Sequence, residues 1–60
     1  MTVLKVIKMY HLEDFQKQYK NPYGSDVSIK YPLDTLAKME VKDMYINLKM
    51  NTATITIIDF

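Results

Sequence analysis

The only compact group of titratable side chains in this chain is His11 with Glu13 and Asp14 close behind it. An imidazole beside two carboxylates can act as a general base or contribute to a metal site. Neither use is complete here. No nucleophile accompanies the group, and a lone histidine in a chain without cysteine supplies only one nitrogen ligand. The plainer reading is an exposed histidine at a junction between elements, followed by an acidic helical first turn. No catalytic, cofactor or metal motif is expected, and the chain is read as a protein that is not an enzyme.

Two other groups could support binding. Five tyrosines (10, 19, 23, 31 and 45) with Lys20 and Lys30 among them could stack single-stranded nucleic acid. The alternative is that Tyr19 and Tyr31 line the core while Tyr23 sits in a loop. Five methionines (1, 9, 39, 44 and 50) could form an adaptable surface. Met9, Met39 and Met44 are more simply core residues, whereas Met50 falls at a hairpin tip where an exposed apolar contact is expected.

The elements that must position these groups are clearest at the C-terminal end. From Asp43 to Asp59, apolar and polar residues alternate in two runs. Met44, Ile46 and Leu48 share one face of the first, and Ala53, Ile55 and Ile57 share one face of the second. Period-two alternation of this kind marks strands with one buried side. For the two apolar sets to share a face, opposed residues must differ in parity, so the loop holds an even number of residues. Pairing Leu48 with Ala53, Ile46 with Ile55 and Met44 with Ile57 meets that condition. Asn51 is the residue expected to take the left-handed turn conformation.

The opposite face carries Thr52, Thr54 and Thr56, then Ile58 and Phe60, with Tyr45 nearby. A threonine ladder is an ordinary solvated face. The apolar end is not, so either the first helix covers it or a second chain does. The last strand could also be an unprotected edge. Tyr45, Ile58 and Phe60 are therefore the residues expected to mediate self-association.

Upstream, residues 2–10 carry apolar side chains on both faces of an extended chain, which suits a central strand. Lys5 and Lys8 would equally permit a helix with a polar stripe. Residues 11–20 fit a helix, with Leu12, Phe15 and Tyr19 at helical spacing and Glu13 placed to pair with Lys17. Asn21 and Pro22 stop it, and Gly24 can take positive φ in the following loop. Residues 26–31 alternate as a strand. Pro32 suits the first position of a short second helix, with Leu33, Leu36 and Ala37 as its stripe, Asp34 able to pair with Lys38, and its end near Met39 or Glu40. The expected architecture is a single α+β domain over residues 1–60. A small antiparallel or mixed sheet in the order β-α-β-α-β-β carries a C-terminal hairpin and two short helices.

Composition narrows the function classes. The chain has 60 residues, no cysteine and a net charge of +1, with lysine as its only strongly basic residue. A domain this short buries only about 60% of its unfolded surface, so association with another chain is expected to support it. The absence of arginine ranks DNA or RNA below protein as a partner. No run is apolar enough to span a membrane, and residues 1–10 lack a cleavage site, so a cytoplasmic protein without a membrane partner is expected.

Residues 27–33 (VSIKYPL) through Leu36, then Val41-Lys42-Asp43 and residues 45–57, resemble the strand, short helix, strand, turn, strand pattern of the AbrB/MazE-type swapped-hairpin domain. That resemblance implies an intertwined homodimer that binds DNA as a transcriptional regulator or antitoxin. Lys30, Lys38, Lys42 and Lys49 would then have to converge on one face. The leading expectation is different: a homodimer without enzymatic activity that occupies the surface of a larger host protein. Size and composition suggest a phage or mobile-element product that inhibits a host or defence protein, working in the host cytoplasm. Its outward contacts are expected at Tyr23, Gly24, Asp26, Lys30 and Met50.

Overall fold

The computed structural model describes residues 1–58, and Asp59 and Phe60 lie outside them. Helix α1 spans Val3–Met9, strand β1 Gln16–Lys20, helix α2 Leu33–Lys38, strand β2 Val41–Asn47 and strand β3 Thr52–Ile57. The three strands form one mixed sheet in the order β1-β3-β2. β1 runs parallel to β3, and β2 runs antiparallel to it. The α+β class, the two short helices, the mixed sheet and the C-terminal strand pair are as the sequence pattern implies. The element types in the first half are not.

Residues 2–10 form a helix rather than a central strand. The Thr2 hydroxyl caps the helix by accepting the Lys5 N–H at 3.3 Å. Val3 and Val6 are buried and Ile7 is half-buried, a stripe at three- and four-residue spacing. Lys5 and Lys8 are the polar stripe of that helix. Met9, expected in the core, is half exposed.

Residues 11–20 are not a helix. His11 takes a left-handed conformation at φ 57° and turns the chain out of α1. Leu12 is fully buried beneath the turn that follows, and the chain then extends into β1. Gln, Lys and Gln have little intrinsic preference for strand. Pairing with β3 decides the conformation, since what strand formation rewards is packing on a half-buried surface. Tyr19 lies opposite Ile55 and is buried, its hydroxyl pKa raised by desolvation.

The expected strand over residues 26–31 is a turn. Asp26 Oδ1 accepts the Ser28 N–H at 2.7 Å and also the Ser28 hydroxyl, an Asx turn that competes with an extended chain. The backbone of this turn meets the sheet at its start alone, where Asp26 bridges Lys20 and the Val27 N–H donates to Tyr19 O at 2.9 Å. Val27 is buried and Ile29 is 97% exposed, so the alternation is real in sequence but serves a turn. Pro32 sits at the N-cap with ψ 159°, one residue before the expected first helical position. α2 ends at Lys38, and Met39 is already extended. Leu36 fills the core from α2, whereas Leu33 is 72% exposed.

The hairpin keeps the expected parity but shifts by two residues. Met44 pairs with Ile55 and Ile46 with Ala53, leaving an even turn of four residues, 48–51, between the strands. Leu48 therefore lies in the turn and is exposed instead of opposing Ala53. Asn51 has φ 57°, the left-handed turn residue as expected. A register shift between Val41 and Asp43 marks a bulge at the start of β2. The terminal strand is not an edge. β3 is the centre of the sheet, and β1 and β2 are its edges.

The core lies on one side of the sheet. Val3, Tyr19, Val27, Leu36, Ile55 and Ile57 form one buried cluster, and Val6, Leu12 and Ala53 form a second. Ile7, Val41 and Met44 pack against both clusters and join them. The N-terminus is tied into this layer. Thr2 bridges Glu40, the Val41 N–H donates to Met1 O, and the terminal ammonium lies 2.6 Å from the Glu40 carboxylate.

Candidate interaction surface

The register defines the face of the sheet opposite the helices. Three cross-strand rows run over it: Lys20–Thr56–Asp43, Gln18–Thr54–Tyr45 and Gln16–Thr52–Asn47. The residues between them, Lys17–Ala53–Ile46 and Tyr19–Ile55–Met44, point to the core side. Both buried clusters draw on α1, α2 or the α1–β1 turn together with the odd-numbered residues of β3, so the helical layer belongs to that side alone. The face that carries Thr52, Thr54 and Thr56 is a mat of hydroxyl and amide groups with one aromatic ring, and with Lys20 and Asp43 at two of its corners. Tyr45 is 66% exposed on it, and the three threonines are half-buried.

The expected self-association residues meet this face unevenly. Tyr45 lies on it. Ile58 follows Thr56 in the same alternation and is half-buried, its N–H donating to Glu40 O. Phe60 lies outside the described residues. The helix expected over residues 11–20 as their cover does not form, and α1 packs on the core side of the sheet.

The outward-contact residues are spread over two loops. Asn21 organises the first by accepting the Tyr23 and Ser25 N–H groups on Oδ1, while Gly24 takes φ 89°. Tyr23 is 90% exposed at its crest. Asp26 closes this loop, and its carboxyl is held below its ordinary pKa, first by the Ser28 hydroxyl, then by the Ser28 N–H. Lys30 lies over the Tyr31 ring at 5.2 Å. Met50 is in the hairpin turn, where Asn47 Oδ1 accepts its N–H, and it stands exposed beside Leu48. The structure therefore does not bring Met50 and Tyr23 into one element.

His11, Glu13 and Asp14 are all exposed. The acidic pair lies in the turn before β1, not in a helical first turn. Among the described residues no group of three or more His, Cys, Asp or Glu side chains could hold a metal ion. Lys17 does not pair with the Glu13 carboxylate. Its ammonium instead donates to three backbone carbonyls, Leu12 and Phe15 at 2.9 Å and Glu13 at 3.2 Å. The lysine thus clasps the α1–β1 turn shut, a role that residue type and spacing did not reveal.

Of the four lysines required to converge for DNA binding, each occupies a different segment. Lys30 is in the turn after Val27, Lys38 in the last turn of α2, Lys42 at the start of β2 and Lys49 in the hairpin turn. Lys42 and Lys49 stand at opposite ends of a strand roughly 20 Å long. No described helix is long and apolar enough to cross a membrane. No family model, curated protein or solved structure matches this chain.

Proposed function

We propose that this chain is a non-enzymatic protein-interaction module, a homodimer that works by occupying the surface of a larger protein. The observation that carries the reading is the balance of apolar side chains. Among the described residues nine apolar ones are buried, while ten large ones stand about half exposed or more, including Tyr23, Ile29, Leu33, Leu48 and Met50. A core so small gains from any partner that covers part of that surface. The hairpin turn is the strongest single element, with two large apolar side chains, Leu48 and Met50, two positions apart and both over 60% exposed.

The larger partner is proposed to be a host or defence protein inhibited by a phage or mobile-element product, a reading that rests on size and composition. The test is a paired capture from host lysate with the wild-type chain and a Leu48→Ser/Met50→Ser variant of unchanged circular dichroism. Proteins enriched on the wild type and lost on the variant support the reading. Identical capture by both chains would remove the hairpin turn as the contact.

A further inference from the structure

We propose that the open face of the sheet is where two copies of this chain meet, face to face, about a two-fold axis running along β3. This inference rests on the self-association proposed above and specifies its surface and geometry. The argument is one of charge and register. Lys20 and Asp43 share the partner Thr56, so a cation and an anion occupy opposite ends of one row, on the two outer strands. They lie two strand spacings apart, about 10 Å.

A rotation about β3 exchanges the outer strands and keeps every residue at its own level. Lys20 then faces Asp43 of the second copy, and Asp43 faces Lys20, giving two reciprocal ion pairs from one pair of side chains. Gln18 faces Tyr45 in the next row. Ile58, beyond Thr56 in the same alternation, lies near the axis and meets its own copy. Face-to-face rotation about an axis across the strands would instead set Lys20 over Gln16, forming neither ion pair. An isologous contact must be self-complementary, and the register supplies that property for the axis along β3.

The side chains are available for this use. Among the described residues the Lys20 ammonium takes part in no hydrogen bond or ion pair, and its one charge effect there is a weak pull on Asp26. Asp43 Oδ1 accepts the Met44 N–H at 2.8 Å, and among the described residues Oδ2 takes no hydrogen bond. That same bond bears on the competing geometry. The Ile58 N–H donates to Glu40 O, which sets the even-numbered residues of β3 toward β2 and leaves Met44 facing the free edge. The Asp43 carboxylate covers the amide a second strand would need there, so β2 is poorly disposed to edge pairing.

The test is sedimentation equilibrium of four chains. Wild type associates with a measurable constant. Lys20→Asp and Asp43→Lys each place like charges opposite one another twice, weakening association about tenfold. The swap Lys20→Asp/Asp43→Lys restores it. An equimolar mixture of the two single variants forms a heterodimer, because one copy is then doubly acidic and the other doubly basic at these positions. That last result has no explanation in folding within one chain. A wild type that stays at 7.1 kDa overturns this inference and the homodimer together. A dimer indifferent to both substitutions, alone or combined, overturns this interface alone.

Discussion

Adjacent residues of β3 live in different worlds. Ala53, Ile55 and Ile57 have no exposed surface, while Thr52, Thr54 and Thr56 are half-buried on the side the helices leave open. The two sets share one strand, paired on both sides, and β-branched side chains almost throughout. What separates them is only which side of the pleat they occupy. The core side carries the stability of the fold, and the open side is free to carry contacts.

The sharpest way to break that contrast is to truncate neighbours. Ile55→Ala removes a fully buried side chain at the junction of β1, β3 and β2, and we expect a loss of about 2–4 kcal/mol in urea unfolding. For a domain this small, such a loss is a large part of the total. Thr54→Ala, one residue away, is expected to stay within about 1 kcal/mol. Equal losses at the two positions would mean that the open face is also packed.

Lys17 is the exception that sharpens the contrast, since it lies on the core side yet carries a charge. Its ammonium is satisfied by the Leu12, Glu13 and Phe15 carbonyls and is half-buried. Lys17→Met keeps the stem and removes the donors, leaving partly buried carbonyls with one partner fewer. We expect a loss of about 1–2 kcal/mol, with amide exchange rising first in the turn before β1. Unchanged protection there would show that Leu12 alone holds the turn.

The hairpin and the first half of the chain differ in how far the sequence reveals them, for a physical reason. In residues 43–57 the alternation, the buried face and the turn residue Asn51 agree, so local pattern and tertiary pairing say the same thing. Only the position of the turn was open, because sliding by two residues preserves every face. In residues 2–20 local pattern was ambiguous. VLKVIKM satisfies a strand apolar on both sides and equally a helix with a stripe of Val3, Val6 and Ile7. QKQYK becomes a strand only because β3 lies beside it. Lys17 was invisible as a clasp because its partners are backbone carbonyls, which no residue type announces. At Asp26-Val27-Ser28 the sequence carries two competing signals, an Asp able to bond the backbone N–H two residues on as an Asx turn and the alternation of Val27, Ile29 and Tyr31, and the turn wins.

Gly24 offers a smaller test, on a loop that belongs to neither face. Its φ of 89° is a conformation that side chains with a Cβ rarely adopt, and an added Cβ would meet nothing within 4 Å. The effect of Gly24→Ala is therefore backbone strain alone. We expect about 1 kcal/mol of destabilisation with the core unchanged by methyl NMR. A neutral result would mean that the loop adopts another conformation at no penalty.

The smallest effect is expected at the corner of the open face, where Asp26 bridges Lys20. The Ser28 hydroxyl and N–H hold the Asp26 carboxyl below its ordinary pKa, with the Lys20 charge adding a weaker pull. Hydrogen bonds to the charged form explain the direction. A carboxyl whose folded pKa is depressed stabilises the fold above its unfolded pKa. That contribution is lost as pH falls from the ordinary carboxylate range through the folded value. Because the group is fully exposed, solvent screens it, and the change in stability is slight. The titration itself is the better measurement. Carboxyl NMR is expected to show Asp26 moving up toward the ordinary range in Ser28→Ala, since the hydroxyl is its largest influence, and moving less in Lys20→Gln. The reverse order would assign the corner to charge instead of the Asx turn, and would leave Lys20 committed within its own chain rather than available to a second one.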